Sequence, residues 1–393
     1  MTGSRALLLA LGIDSVGNGI FLPVSVLYLT AVIGLDVPTA GVVSAAAIAL
    51  GLLVPPFAGQ LVDRWGPHRV LVLAQFVQAA GAALYLVATT VPEAALAASL
   101  LAIGQRGFYC SVFVLIADVA AEGAKDKPFA LAGLTQSVCF GAGAAVAGLL
   151  VGTDGVWAYR LVAGLNVVSF LACAVILLRF VRPPHHQPST PEHGGYRRLL
   201  TDWPFVGLIA VNFCFAVAVD MAVVGVPVHI THALAAPAWL IGVVVGLVTM
   251  LRLAFQVPVV QRIGHLPRTT ALLGAGGLMI SWALALAFAV LLPPVWAAAW
   301  VVLVTTLYAF GAAVHAPLSN ALADASAPPE NRGRYLAVFQ YSFGLSNVVA
   351  PALLALTAYG AATPWLVLAV LMALGSAALP VLGRTLPKVA VHR

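Results

Sequence analysis

Apolar runs of about 20 residues recur along this chain, each ended by a short polar or Pro/Gly break, and this recurrence fixes the solvent before any other feature is weighed. A bilayer core about 30 Å thick is crossed by roughly 20 residues of helix. Only helices or closed barrels satisfy their backbone groups in hydrocarbon, and these runs are too long and continuous for barrel strands. The pattern predicts an all-α integral membrane protein with twelve spans, over 6–29, 40–61, 69–91, 94–120, 128–151, 157–180, 203–230, 238–261, 267–292, 295–322, 333–357 and 363–383. Charged residues make up only 8% of the chain, against about 25% in a soluble domain, which excludes a water-soluble fold of this size. Arg5 followed by the apolar stretch 6–13 imitates a signal peptide, but Asp14 interrupts it and no small-residue cleavage site follows, so the segment reads as the first span.

The net charge of +6 would hint at nucleic acid if the basic residues shared a face. They collect instead at the ends of the apolar runs. With both termini cytoplasmic, sixteen of the nineteen Lys and Arg fall on the inner side, as the positive-inside rule requires. The expected location is therefore the cell inner membrane, multi-pass, with the lipid bilayer as partner and no nucleic acid. The sixteen Arg against three Lys, with abundant Ala, Gly and Pro, point to a GC-rich bacterial source. Cys110, Cys139, Cys173 and Cys214 lie in apolar runs without paired spacing, so they read as packing residues and not as disulfides or metal ligands.

Residues 181–202 form the one long polar segment, rich in Pro and Gly, and read as a flexible cytoplasmic linker. His185, His186 and His193 within it have no Cys or helical spacing to support a metal site. The linker separates residues 1–180 from 203–393, two six-helix halves that carry traces of a repeat. Pro23 aligns with Pro227 and Gln136 with Gln340 at one common offset, and Ala117-Asp118 aligns with Ala323-Asp324 nearby. Two repeated halves around a midplane site are the build of a secondary transporter.

Between the second and third spans runs Gly59-Gln60-Leu61-Val62-Asp63-Arg64-Trp65-Gly66-Pro67-His68-Arg69. Gly59 and Gly66 permit close helix approach and a tight turn, and Asp63 is placed to cap a facing helix N-terminus, expected to be that of the eleventh span. Arg64 and Arg69 are expected to pair with Asp118, completing a charge cluster that latches an inner gate. This segment resembles the signature loop of the major facilitator superfamily. A worn second copy, Val257-Pro258-Val259-Val260-Gln261-Arg262-Ile263-Gly264, follows the eighth span. Asp14-Ser15-Val16-Gly17-Asn18-Gly19 and Ala327-Pro328-Pro329-Glu330-Asn331-Arg332-Gly333-Arg334-Tyr335 look like the twelve-span drug:proton antiporter branch. The fifth-span glycine stretch of that branch is matched by Gly141-Ala142-Gly143-Ala144, with Ala144 where the resemblance leads one to expect Pro. Gln105-Arg106-Gly107 departs likewise from the fourth-span pattern, so Arg106 is only loosely equivalent to the arginine of that branch.

Ionisable groups inside a span are expensive and mark function. Of thirteen carboxylates only Asp14 and Asp220 fall well inside the predicted spans, Asp118 standing at a span end, and Arg106 and Arg252 are the two arginines well inside them. Paired as Asp14–Arg106 and Asp220–Arg252 they would be fixed ion pairs. Left unpaired, either Asp could carry a proton, since desolvation disfavours its charged form. His315 in the tenth span is a third candidate for proton coupling, with a packing role equally open. Asn18, Tyr109, Gln136, Asn212, Tyr308, Gln340, Tyr341 and Asn347 would line a mixed polar and aromatic cavity suited to an amphipathic organic molecule. The expectation is a monomeric, proton-coupled efflux transporter with no cofactor beyond the proton gradient. A nutrient uptake carrier would share every topological feature and differ only in cavity contacts and coupling direction. A membrane-embedded enzyme would need a catalytic constellation that the chain lacks, and a non-transporting sensor would need a signalling domain.

Overall fold

The computed structural model describes residues 3–35, 37–119, 126–151, 156–181, 195–237 and 239–392. Among these, twelve helices are long and apolar enough to cross a membrane: α1 Gly3–Val24, α2 Val42–Trp65, α3 Pro67–Val87, α4 Val91–Val119, α5 Asp126–Ala147, α6 Val156–Phe180, α7 Trp203–Thr231, α8 Leu240–His265, α9 Arg268–Ala289, α10 Trp296–Ser326, α11 Pro329–Tyr359 and α12 Thr363–Thr385. No strand occurs among the described residues. The fold is the all-helical twelve-span architecture that the hydropathy predicts.

Two boundaries move with consequence. The second span was expected to stop at 61, but α2 runs on to Trp65, so Asp63 and Arg64 sit in a last helical turn and not in a loop. The chain turns at Gly66, whose φ of 84° favours glycine, and Pro67 opens α3 with its preset φ. The eleventh span starts at Pro329 and is interrupted at Gln340, between the helical stretches Arg332–Phe339 and Tyr341–Leu354. Of the linker expected over 181–202, residues 182–194, with His185, His186 and His193, lie outside the described residues, as does Lys125. Its final part is helical over Gly195–Thr201, because fully buried Leu199 anchors it.

By contacts the chain sorts into two compact units. The first takes in α1 to α4, α5 from Leu131 onward, α6, and the opening of α11 at Pro328–Val338; the second holds Gly123–Ala130, Gly194–Ala327 and Phe339–Arg393. Inside the first, Phe21, Tyr28 and Tyr85 form an edge-packed aromatic cluster, with the Tyr28 hydroxyl donating to the Tyr85 carbonyl at 2.7 Å. Close crossings depend on missing side chains. A Cβ on Gly19 would strike the carbonyl of Phe140, and one on Gly143 the carbonyl of Val16, so α1 and α5 touch backbone to backbone.

Inside the second unit, His229 joins α7 to two neighbours: its Nε2 lies 3.1 Å from the Leu286 carbonyl and its Nδ1 accepts from Trp365 Nε1 at 2.9 Å. α7 leaves α-helical geometry at Met221–Gly225 and again at His229–Ala233, each a π-helical turn, on either side of Pro227. Pro227 has no N–H to give the ladder, and the wider turns accommodate that gap. The first π-turn begins one residue after Asp220. Pro23, which the sequence aligns with Pro227, lies in the 3-10 turn Leu22–Val24.

Candidate functional site

Asp63 is nearly buried at the end of α2, where its Oδ1 accepts the backbone N–H of Gly333 at 2.7 Å. That N–H is one of the donors that the helix starting at Arg332 cannot satisfy internally, and the helix dipole favours the carboxylate there. Oδ2 pairs with Arg334 Nε at 3.5 Å, and Arg334 also donates to Asn331 at 2.6 Å. The approach is possible because both chains carry glycine: a Cβ on Gly333 would fall 2.8 Å from the Gly59 carbonyl, and one on Gly59 would fall 2.9 Å from Ala337 Cβ.

The expected pairing of Asp118 with Arg64 and Arg69 is replaced by another. Asp118 Oδ1 accepts from Arg332 Nη1 at 2.5 Å. Arg64 follows Asp63 by one residue, about 100° around the helix, and it is exposed, as is Arg69. The arginines that meet the acids of this cluster belong to the opening of α11.

A second buried ion pair had no forewarning in the sequence reading. Asp126, at the first turn of α5, receives Arg268 Nε at 2.9 Å and Nη2 at 3.0 Å, and Arg268 Nη1 donates to the Ala390 carbonyl at 2.6 Å. Both side chains are nearly closed off, at 4% and 3% exposed. The carbonyl comes from the short C-terminal helix Lys388–Val391.

Asp14 occupies the middle of α1 at 3% exposure. Its Oδ1 accepts from Gln75 Nε2 at 2.8 Å and its Oδ2 from Asn18 Nδ2 at 3.1 Å. Of the two states left open for this acid, the structure has the one without an ion pair: its hydrogen-bond donors are amides, and Arg106 is not among them. Tyr109, on α4 with Arg106, lies within electrostatic reach of Asp14 and packs against Phe108 and Phe113. Gln75 was missed because its partner is 61 positions away, yet an amide inside an apolar run was a signal available to read.

In the second unit, Asp220 Oδ2 accepts from the Ser346 hydroxyl at 2.5 Å. Tyr308 lies within electrostatic reach of both Asp220 and Arg252. Arg252 donates to Gln256 at 3.3 Å, and Gln256 donates in turn to the Ala130 carbonyl at 3.2 Å. Asn212 and His315 belong to packed interior. Asn212 is 1% exposed, donates to Ser342 at 2.6 Å and accepts from Ser319, while His315 Nε2 stands 2.9 Å from its Oδ1. His315 stacks on Phe215 with ring centroids 4.5 Å apart. Gln340 is buried at the break in α11, Tyr341 and Gln136 are half-buried, and exposed Asn347 spends its amide on the Phe343 carbonyl. No group of three or more His, Cys, Asp or Glu able to hold a metal occurs among the described residues.

Residues 7–351 match the family model described as the Major Facilitator Superfamily. The chain belongs to the major facilitator superfamily. As a member it is a multi-pass membrane transporter and not an enzyme. Solved structures agree in fold. The human organic anion transporter MFSD10 (TETRAN) superposes with a TM-score of 0.76 at 15% identity, over 96% of this chain and 98% of that one. The E. coli fucose:proton symporter FucP gives 0.76 at 15%, covering 97% and 99%. A bacterial homologue of the iron transporter ferroportin in an outward-facing state gives 0.73 at 17%, covering 96% and 100%. No curated protein matches the sequence significantly.

Proposed function

We propose that this superfamily member is a proton-coupled secondary transporter that works by alternating access and exports small amphipathic organic molecules. The observation that carries the coupling is a contrast among its acids. Asp63, Asp118 and Asp126 each face an arginine, whereas Asp14 is held by the neutral amides of Gln75 and Asn18. A carboxylate with amide donors gains and loses a proton without leaving a buried cation uncompensated. Asp220, the other acid well inside a predicted span, is the second carrier, and the Ser346 hydroxyl donates to it. Arg106 acts on the same tyrosine as Asp14, Tyr109, and Arg252 on the same tyrosine as Asp220, Tyr308, so each arginine tunes the charge around its tyrosine.

The Asp63 and Asp118 cluster is the latch of the inner gate, and alternating access requires it to open and close. In the first unit, half-buried Tyr109 stacks on Phe113 with ring centroids 6.4 Å apart and offers aromatic surface, which suits an amphipathic molecule better than a bare ion. The export direction rests on the motifs that resemble the drug-efflux branch. Uptake is the second reading, and the observation in its favour is Ala144 where that branch carries Pro. The test is inverted vesicles with an imposed proton gradient and a panel of cationic dyes, antibiotics and sugars. Accumulation of a dye or antibiotic that collapses with the gradient supports export; accumulation of a sugar only, and only in right-side-out vesicles, overturns it.

A further inference from the structure

Within the first unit, a cavity of about 140 Å³ lies among the ends of α1, α2, α3, α4 and α6 that are opposite the amino terminus of α1. Beside apolar side chains such as Phe21 and Leu101, its polar lining is Asn18, Ser25, Ser44, Gln78, Gln105, Asn166 and Tyr85, amides and hydroxyls that carry no charge at neutral pH. Polar lining in a space this size calls for water, and the space is large enough for several molecules. Gln78 supports the same occupant independently, since it is 1% exposed and its Nε2 has no hydrogen-bond partner among the described residues. Gln75, one turn earlier on the same face of α3, leaves its Oε1 equally unpartnered. A donor and an acceptor left over one turn apart, about 4.5 Å along the axis, are a spacing that one water bridges.

This cavity meets the mid-span acid. Asn18 lines it and also donates to Asp14, while Gln75 donates to the other carboxylate oxygen. Tyr109 on α4 and Cys173 on α6 also lie within electrostatic reach of Asp14, and Arg106 lies within reach of Tyr109. We propose that the cavity is a built hydration site, whose water cluster connects Asp14 through Asn18 and Gln78 to the membrane face opposite the amino terminus of α1. Asp14 then exchanges its proton along a path wholly inside the first unit. The proposal rests on the reading of Asp14 as a proton carrier.

The full-length protein in lipid nanodiscs serves for both measurements. Hydroxyl-radical footprinting should oxidise Tyr85, which is only 2% exposed, because radicals form on the water beside it. Infrared spectroscopy should show a protonated carboxyl band that Asp14→Asn removes, and its hydrogen–deuterium exchange should slow about tenfold in Gln78→Leu, which keeps the side-chain volume, and in Ala102→Leu, which fills the space. If the band exchanges at the parent rate in the folded variants, the water path is wrong while proton carriage stands. Absence of Tyr85 oxidation in the parent, or an ordered organic molecule in the cavity, also overturns the path. If Asp14→Asn removes no band at any pH in the neutral range, the proton-carrier reading itself falls.

Discussion

The carboxylate of Asp63 sits 2.7 Å from the backbone nitrogen of Gly333, joining the last turn of α2 to the first turn of the helix that begins at Arg332. The contact combines a helix-terminus bond with the Arg334 ion pair. Asp63→Asn keeps an acceptor for Gly333 and removes the charge, a loss of about 1 kcal/mol or roughly fivefold in the latch equilibrium. The variant should insert normally, transport more slowly, and show greater labelling of single cysteines on the inner side. Transport and labelling equal to the parent's would reduce the cluster to a structural contact.

The Asp126 and Arg268 pair has a different role, because it is closed from solvent and shared with the C-terminal helix. Removing one partner, as in Asp126→Asn or Arg268→Met, strands a buried group and should cost about 3–5 kcal/mol. Replacing both, Asp126→Leu with Arg268→Met, should cost much less than the sum. Thermal unfolding in detergent measures this, and simple additivity would show that the pair is not coupled.

Among the fifth-span glycines, Gly143 and Gly141 should respond unequally. A Cβ on Gly143 meets the Val16 carbonyl, whereas one on Gly141 meets nothing within 4 Å. Gly143→Ala should destabilise by about 1–3 kcal/mol and Gly141→Ala by less than about 0.5 kcal/mol. Equal losses would place the α1–α5 crossing elsewhere.

The charge asymmetry of the loops predicts that the linker is cytoplasmic. A single cysteine at Gln187 in a cysteine-free background should stay unlabelled when an impermeant reagent is added outside intact cells. Labelling there would reverse the topology.

The twelve spans were legible because hydropathy over a window of about 20 residues reports burial in lipid directly. The Asp63 contact was half legible: the glycine and Asp63 spacing pointed to the eleventh span, but Arg332 and Arg334 could not be chosen over Arg64 and Arg69. That choice depends on the extension of α2 to Trp65, which polar residues past the hydrocarbon edge do not signal. The partners of Asp14 and Asp126 were hidden for another reason. Gln75 and Arg268 lie 61 and 142 positions away from them, and pairings at that range are set by helix packing. Asn212 looked like a cavity residue because one polar group in an apolar run reads alike whether it faces a solvent-filled space or a buried Ser and His.

Proton carriage by Asp14 is tested most directly in proteoliposomes loaded with a pH dye, using whichever panel compound the parent transports. Asp14→Asn should abolish accumulation of that compound against its gradient and the accompanying pH change, while counterflow exchange of labelled for unlabelled compound continues. An Asp14→Asn protein that still accumulates the compound at the parent's rate under a proton gradient, with the same pH change, would contradict it.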